Sequence, residues 1–386
     1  MVDKPFKQAH RKLELKVLKP QWKTGNKVPG QTGAGHDDYY PGFDYLRGLL
    51  ALMVVLGHDN AMPWVWSANF AVQVFFALSG WLIGGMLLRF SPKDLPRFYF
   101  NRAIRIWIPY YIALALLIGA SLLHDKMTTK WMEFVLYMLS FVYNLFGTRQ
   151  LAEHIHEMPL DGTGNHFWSV NAEEQFYLMA PILIVLAAPQ LGRSILTWSL
   201  IAVLVWLSMV YTNHIEGYAS IVFGVLSAIL VDRYGPLHLT RTARAVLFIC
   251  AGASAIGMAM GLDYVLLAPV CSIGIVLLLA VRGPQTWFGA VVGGMSYPLY
   301  LNHWIGIFIG HALFAPFGLR DVWFRVLFST LLSVGLAVAH YWFIDRRMLA
   351  KRRQMFSPKR GLVTTCTAYA LVIGGMVFGL AVAASS

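Results

Sequence analysis

Charge is scarce in this chain. Asp, Glu, Lys and Arg make up only 13% of its 386 residues, while 57% are hydrophobic. An ordinary globular domain carries about 25% charged residues. So little charge cannot cover a soluble surface of this size, which excludes a water-soluble enzyme and a nucleic-acid reader. Cysteine is scarcer still: Cys250, Cys271 and Cys366 are the only three. They lie in apolar stretches with no CxxC and no metal-ligand spacing, so packing is their expected role. Acidic residues are the rarer sign, 19 against 31 basic, for a net charge of +12. In a membrane protein that excess reads as Lys and Arg gathered in cytoplasmic loops. Alternating segments of about ten residues, the mark of a transmembrane barrel, are missing. No repeat and no cleavable signal peptide are visible.

What is present is a series of unbroken apolar runs, such as Ile112–Leu123 and Val265–Val281. A spanning helix needs about 20 mostly apolar residues. Candidates fall at 43–62, 69–89, 103–123, 131–147, 168–188, 195–213, 217–232, 243–260, 262–281, 290–311, 322–345 and 362–384. If all twelve crossed from a cytoplasmic N-terminus, 17 basic residues would lie inside and 14 outside. If 131–147 lies along the surface or re-enters, the split becomes 26 inside and 5 outside (Lys126, Lys130, Arg149, Arg320 and Arg325). The positive-inside rule selects the second plan, and 131–147 is short and carries Glu133 and Asn144. The expected fold is therefore all-α, a polytopic transmembrane bundle of ten core helices plus one C-terminal helix. Residues 1–40 read as a basic cytoplasmic tail, 41–346 as the membrane domain, 347–361 as a basic cytoplasmic linker and 362–384 as the added helix, with the C-terminus outside. This places the polar loop 148–167 outside; its His154, His156 and His166 read as ordinary loop histidines, and no metal is expected.

Polar groups inside a bilayer are costly, so each is a functional candidate. The first helix runs from Phe43 to His58. Arg47 and His58 stand eleven residues apart, three turns plus about 20°, which puts them on one face about 16 Å apart along the axis. Asp44, one turn before Arg47, can pair with it. Arg102 and Arg105 stack at the start of the third helix. With Arg47 they would suit the phosphates of a nucleotide, since guanidinium binds phosphate bidentately; the plainer reading is topology anchors. Glu173 and Glu174 begin the helix after the long loop. They are either helix-start acids favoured by the dipole or groups that orient an imidazole. Tyr297, Tyr300 and His303 recur on roughly one face of a late span, as cavity-lining residues would.

In this order the patterns resemble the acyltransferase-3 family of integral membrane acyltransferases. The Arg-x10-His motif is matched by Arg47 through His58. The segment Phe75-Phe76-Ala77-Leu78-Ser79-Gly80-Trp81-Leu82-Ile83, the basic run Arg102–Tyr111, the stretch Trp168–Leu178 and the stretch Ser296–His303 match four further motifs. Asn171 stands where the family usually has Ser, and Asn302 where Trp often precedes the His; neither removes a titratable group. The resemblance implies a multi-pass O-acyltransferase of the cytoplasmic (inner) membrane, with its N-terminus inside. It would move an acyl group, acetyl or else succinyl, from acyl-CoA to a hydroxyl of an extracytoplasmic acceptor, a sugar of an envelope or secreted polysaccharide. Acyl-CoA is then a substrate, and no cofactor is held permanently. The bilayer, the glycan acceptor and a second copy or glycan-export machinery are the partners implied, and no nucleic acid is among them. Arg47, Arg102 and Arg105 would bind acyl-CoA, with Asp44 in support. His58 would be the base, oriented by Glu173 or Glu174, and Tyr297, Tyr300 and His303 would shape the acceptor cavity. The competing class is a proton-coupled transporter of a small metabolite or glycan precursor, with the His58 helix as proton relay.

Overall fold

The computed structural model describes residues 39–211, 217–236, 240–319 and 322–385. The basic stretch before Tyr39 and Arg320 lie outside the described residues. Among the described residues every regular element is helical. The main helices are α1 (Pro41–His58), α2 (Ser67–Leu87), α3 (Leu95–His124), α4 (Thr129–Leu139), α5 (Tyr143–Phe146), α6 (Trp168–Pro181) and α7 (Ile195–Tyr211). They are followed by α8 (Tyr218–Tyr234), α9 (Arg241–Ala259), α10 (Tyr264–Leu279), α11 (Trp287–Phe314), α12 (Trp323–His340), α13 (Arg346–Met355) and α14 (Pro358–Ser385). Among the described residues six helical stretches are long and apolar enough to cross a membrane: Ser67–Leu87, Pro92–His124, Thr163–Ala187, Arg241–Ala259, Trp323–Met355 and Pro358–Ser385. Ile195–Met209 and Tyr264–Leu279 are shorter apolar helices. The chain is a multi-pass, all-α membrane bundle. Its exposed residues include Leu123, Leu204, Phe248 and Val377, the surface that acyl chains rather than water can cover.

The segment 131–147 does not form one rod. α4 has 11 residues and α5 has 4, and Phe141 between them takes a positive φ of 57°. Eleven residues rise only about 16 Å, short of the roughly 30 Å hydrocarbon core. The polar groups of this stretch close on protein. The Asn144 side-chain amide donates to Gln175 Oε1 and to the Tyr218 hydroxyl, each at 3.2 Å. Glu133 accepts from Lys130 Nζ at 3.0 Å and from the Tyr137 hydroxyl at 2.9 Å. Asp125, just past α3, anchors the following loop by accepting from the Leu160 N–H at 2.7 Å. Burial pushes the pKa of its carboxyl up, but hydrogen bonds from Ser121, His124 and Leu160 outweigh that and hold it below the ordinary value.

Two close approaches set the helix framework around the site. α2 packs against α8 where Gly80 and Gly224 face each other. A Cβ on Gly224 would lie 2.7 Å from the Trp81 backbone nitrogen, a contact no side chain tolerates without moving a helix. Gly224→Leu is therefore expected to destabilise the bundle by about 1–3 kcal/mol or more, read as a lower midpoint of thermal unfolding in detergent. An unchanged midpoint would mean that α2 and α8 can separate freely. α11 lies between α1 and α12, with Gly293 against the Asp44 carboxylate. α14 is fixed to the bundle by Tyr369, whose hydroxyl meets the Tyr99 hydroxyl at 2.8 Å and donates to the Leu178 carbonyl at 2.8 Å.

Candidate active site

α1 carries both ends of the site. Pro41 at its first position and Asp44 in its first turn suit a helix start. Arg47 follows one turn later and meets Asp44 at 3.5 Å, the pairing expected from their spacing. The buried Asp44 also accepts from the Tyr39 hydroxyl. Arg47 opens onto a cavity of about 260 Å³ that is also lined by Arg102, Arg105, Ser79, Glu173 and Tyr177 on one part and by Tyr297, Tyr300, Ser169 and Ser296 on another. Apolar walls come from Phe75, Leu78, Leu82 and Met86 of α2. The three arginines therefore converge, from α1 and from the first half of α3. The Arg102 guanidinium lies over the Tyr177 ring, 5.4 Å from its centroid, a cation–π contact that fixes its plane. Arg105 stays exposed.

The glutamates belong to this cavity and its wall. Glu173 accepts from the Ser79 and Tyr177 hydroxyls. Glu174 is buried and accepts from the Trp107 indole at 2.9 Å. This corrects the role the sequence suggested for them. The carboxylates bond to Ser79, Tyr177 and Trp107, and the partner of the His58 imidazole is His303, with Nδ1 of His58 2.8 Å from Nε2 of His303.

That contact fixes the protons. Nδ1 of His303 lies 2.7 Å from the Tyr300 carbonyl oxygen. A carbonyl only accepts, so this nitrogen carries the hydrogen. In a neutral imidazole the other nitrogen, Nε2, then holds the lone pair, and His58 must donate to it from Nδ1. Nε2 of His58 is left as an unprotonated base. His58 ends α1 and is exposed, while His303 is buried, so the free nitrogen lies on the accessible member of the pair. The two rings are nearly parallel, with centroids 5.0 Å apart and 20° between planes. His303 is thus the hydrogen-bond partner of His58. Tyr297 and Tyr300 line the arginine cavity. Tyr297 donates to the Ile106 carbonyl at 3.2 Å, and Tyr300 to the His166 carbonyl at 2.5 Å.

One histidine of the polar loop joins the site. His166 is buried, with its ring centroid 4.6 Å from that of His303 and 6.2 Å from that of His58. Its Nε2 sits 3.3 Å from the Leu301 carbonyl. The sequence offered no signal for this beyond its closeness to Trp168. The other two loop histidines pair locally, His154 with Glu157 at 2.8 Å and His156 with Asp161 at 3.0 Å.

The arrangement is a base at one end of α1, cations at the other, and a cavity beside them. Comparison with known proteins fits it. The family model described as an acyltransferase domain, of the acyltransferase-3 type, matches residues 40–342. The chain is 28% identical over 169 residues to "Putative O-acetyltransferase SACOL0978" of Staphylococcus aureus strain COL, a match covering 42% of this chain and 27% of that protein. It is 27% identical over 152 residues to "O-acetyltransferase OatA" of Staphylococcus aureus strain NCTC 8325, covering 38% of this chain and 25% of the relative. The chain thus spans about a quarter of the length of the curated relatives it matches. No solved structure matches it. With the family's model covering most of its length and all five motifs meeting around one cavity, the chain belongs to the acyltransferase-3 family of integral membrane acyltransferases.

Proposed function

We propose that the protein transfers an acyl group, acetyl in the first instance, from cytoplasmic acyl-CoA to a hydroxyl on a sugar presented at the opposite membrane face. The observation that carries this is the hydrogen-bonded run from the Tyr300 carbonyl through His303 to His58, placed about 16 Å along α1 from Arg47. Acyl-CoA is anionic at its nucleotide and reactive at the tip of a long arm. Arg47, Arg102 and Arg105 bind the phosphates, and the arm runs through the cavity toward His58. His58 Nε2 takes the acceptor's hydroxyl proton while the oxygen attacks the thioester carbonyl. The C–S bond breaks as the tetrahedral adduct collapses, and the imidazolium returns the proton to the leaving thiolate. His303 supports the charged imidazole by accepting its Nδ1 hydrogen throughout. Ser79 and Tyr177 hold the Glu173 carboxylate beside the arginines, where it limits their mutual repulsion.

Purified protein should release free CoA slowly from acetyl-CoA with water as the acceptor. In cells, deletion should remove an acetyl or succinyl group from envelope or secreted glycans, as seen by mass spectrometry. If neither free CoA nor an acyl group on any glycan depends on the protein, the proposal falls.

The sidedness is part of the proposal: N-terminus and arginines inside the cytoplasmic membrane, His58 and the 148–167 loop outside, C-terminus outside. Residues 41–346 form the transferase domain, 347–361 the inner linker and 362–384 the last span. Ala152 and Gln354 are both exposed. With the native cysteines replaced, Ala152→Cys should react with an impermeant thiol reagent on intact cells and Gln354→Cys should not. The reverse pattern would overturn the cross-membrane direction.

A further inference from the structure

The residue after His58 is Asp59, and its side chain is fully buried at the end of α1. It forms an ion pair with the Nη1 nitrogen of Arg325, in the first turn of α12, whose side chain is 3% exposed. By charge count Arg325 is one of the outside basic residues, at the start of the span 322–345; its side chain lies inside the bundle. His311, near the end of α11, closes the group: its Nε2 lies 3.0 Å from Arg325 Nη1 and 3.4 Å from Asp59 Oδ1. One cluster therefore ties α1 to α11 and α12. α11 also carries His303, which must meet His58 at 2.8 Å.

The pair is a poor stabiliser. Asp59 Oδ2 and Arg325 Nε are buried and find no hydrogen-bond partner among the described residues. Two desolvated charges joined at one nitrogen and one oxygen recover less than a fully satisfied pair would, and apolar residues of similar size often replace such a pair with no loss of stability. What the pair does provide is direction. A carboxylate fixed to a guanidinium on another helix sets the rotation and depth of the last turn of α1. A displacement of about 1 Å at a reacting group costs about 100-fold in rate.

We propose that Asp59 and Arg325 are positioning residues that hold the His58 imidazole against His303. The inference rests on His58 being the base. The test is the double variant Asp59→Leu with Arg325→Met, with Arg325→Lys alone as the conservative change. The double variant should unfold at the wild-type temperature or above and bind acyl-CoA as before, yet hydrolyse the thioester about tenfold more slowly or worse. Arg325→Lys should fall between. Amide hydrogen exchange at residues 56–61 should quicken in the double variant, a readout that needs no turnover. Wild-type hydrolysis in a folded double variant, or unchanged exchange at the end of α1, overturns the proposal. If the wild type itself releases no CoA, the reading of the site fails instead, and exchange alone decides the positioning role.

Discussion

His58→Ala should reduce both acyl transfer and acceptor-free thioester hydrolysis by about 100- to 10,000-fold, the range that a positioned general base supplies. Acyl-CoA should bind as before, because the arginine cavity lies at the other end of α1. Insertion and folding should survive, since the imidazole sits exposed at a helix end. His303 separates orientation from mere proximity. In His303→Gln the side-chain oxygen still accepts from His58 Nδ1, so activity should exceed that of His303→Leu, which offers no acceptor. Turnover of purified variants with acetyl-CoA measures both. Near-normal hydrolysis by His58→Ala would remove the base from the mechanism, and equal rates for the Gln and Leu variants would remove the orienting hydrogen bond.

The second large effect concerns the donor. A hydrogen bond to a charged partner contributes about 1.5–3 kcal/mol, so each arginine lost should weaken acyl-CoA binding by about 10- to 150-fold. Arg47→Ala and the pair Arg102→Ala with Arg105→Ala should show this in direct binding, with the double change the larger. Arg47→Lys should recover only part, because an ammonium lacks the planar fork. Added salt should weaken wild-type binding most through the exposed Arg105. Unchanged affinity across these variants would leave the arginines as membrane anchors.

Much of the bundle was legible as apolar runs, and the pairing of Asp44 with Arg47 and the shared face of Arg47 and His58 followed from helical spacing alone. Local periodicity reaches no further than one helix. His58 and His303 are 245 residues apart, so nothing short of the packing of α11 on α1 reveals that one imidazole orients the other. Glu173 and Glu174 show how this misleads. Two carboxylates near a catalytic histidine suggest a partner for it, but the faces of α6 point them at Ser79 of α2 and Trp107 of α3. Arg325 and His166 failed in the same way. At the edge of an apolar run each reads as solvent-facing, and only tertiary contact buries it.

The hydrogen-bonded run at the base ends on the backbone carbonyl of Tyr300, and that fact has an electrical consequence. A carbonyl cannot take over a proton, so the run is closed at its inner end. In the proposed reaction, a proton accepted by His58 has no onward path through His303 and passes to the thiolate departing beside it. Acetyl is neutral, so with acetyl as the group transferred no net charge moves through the bilayer during a turnover. A membrane potential does work only on charge that crosses it, about 2.3 kcal/mol per elementary charge per 100 mV. Acetyl transfer by the proposed route is therefore expected to be electroneutral, and in sealed vesicles an imposed voltage of either sign should leave its rate unchanged.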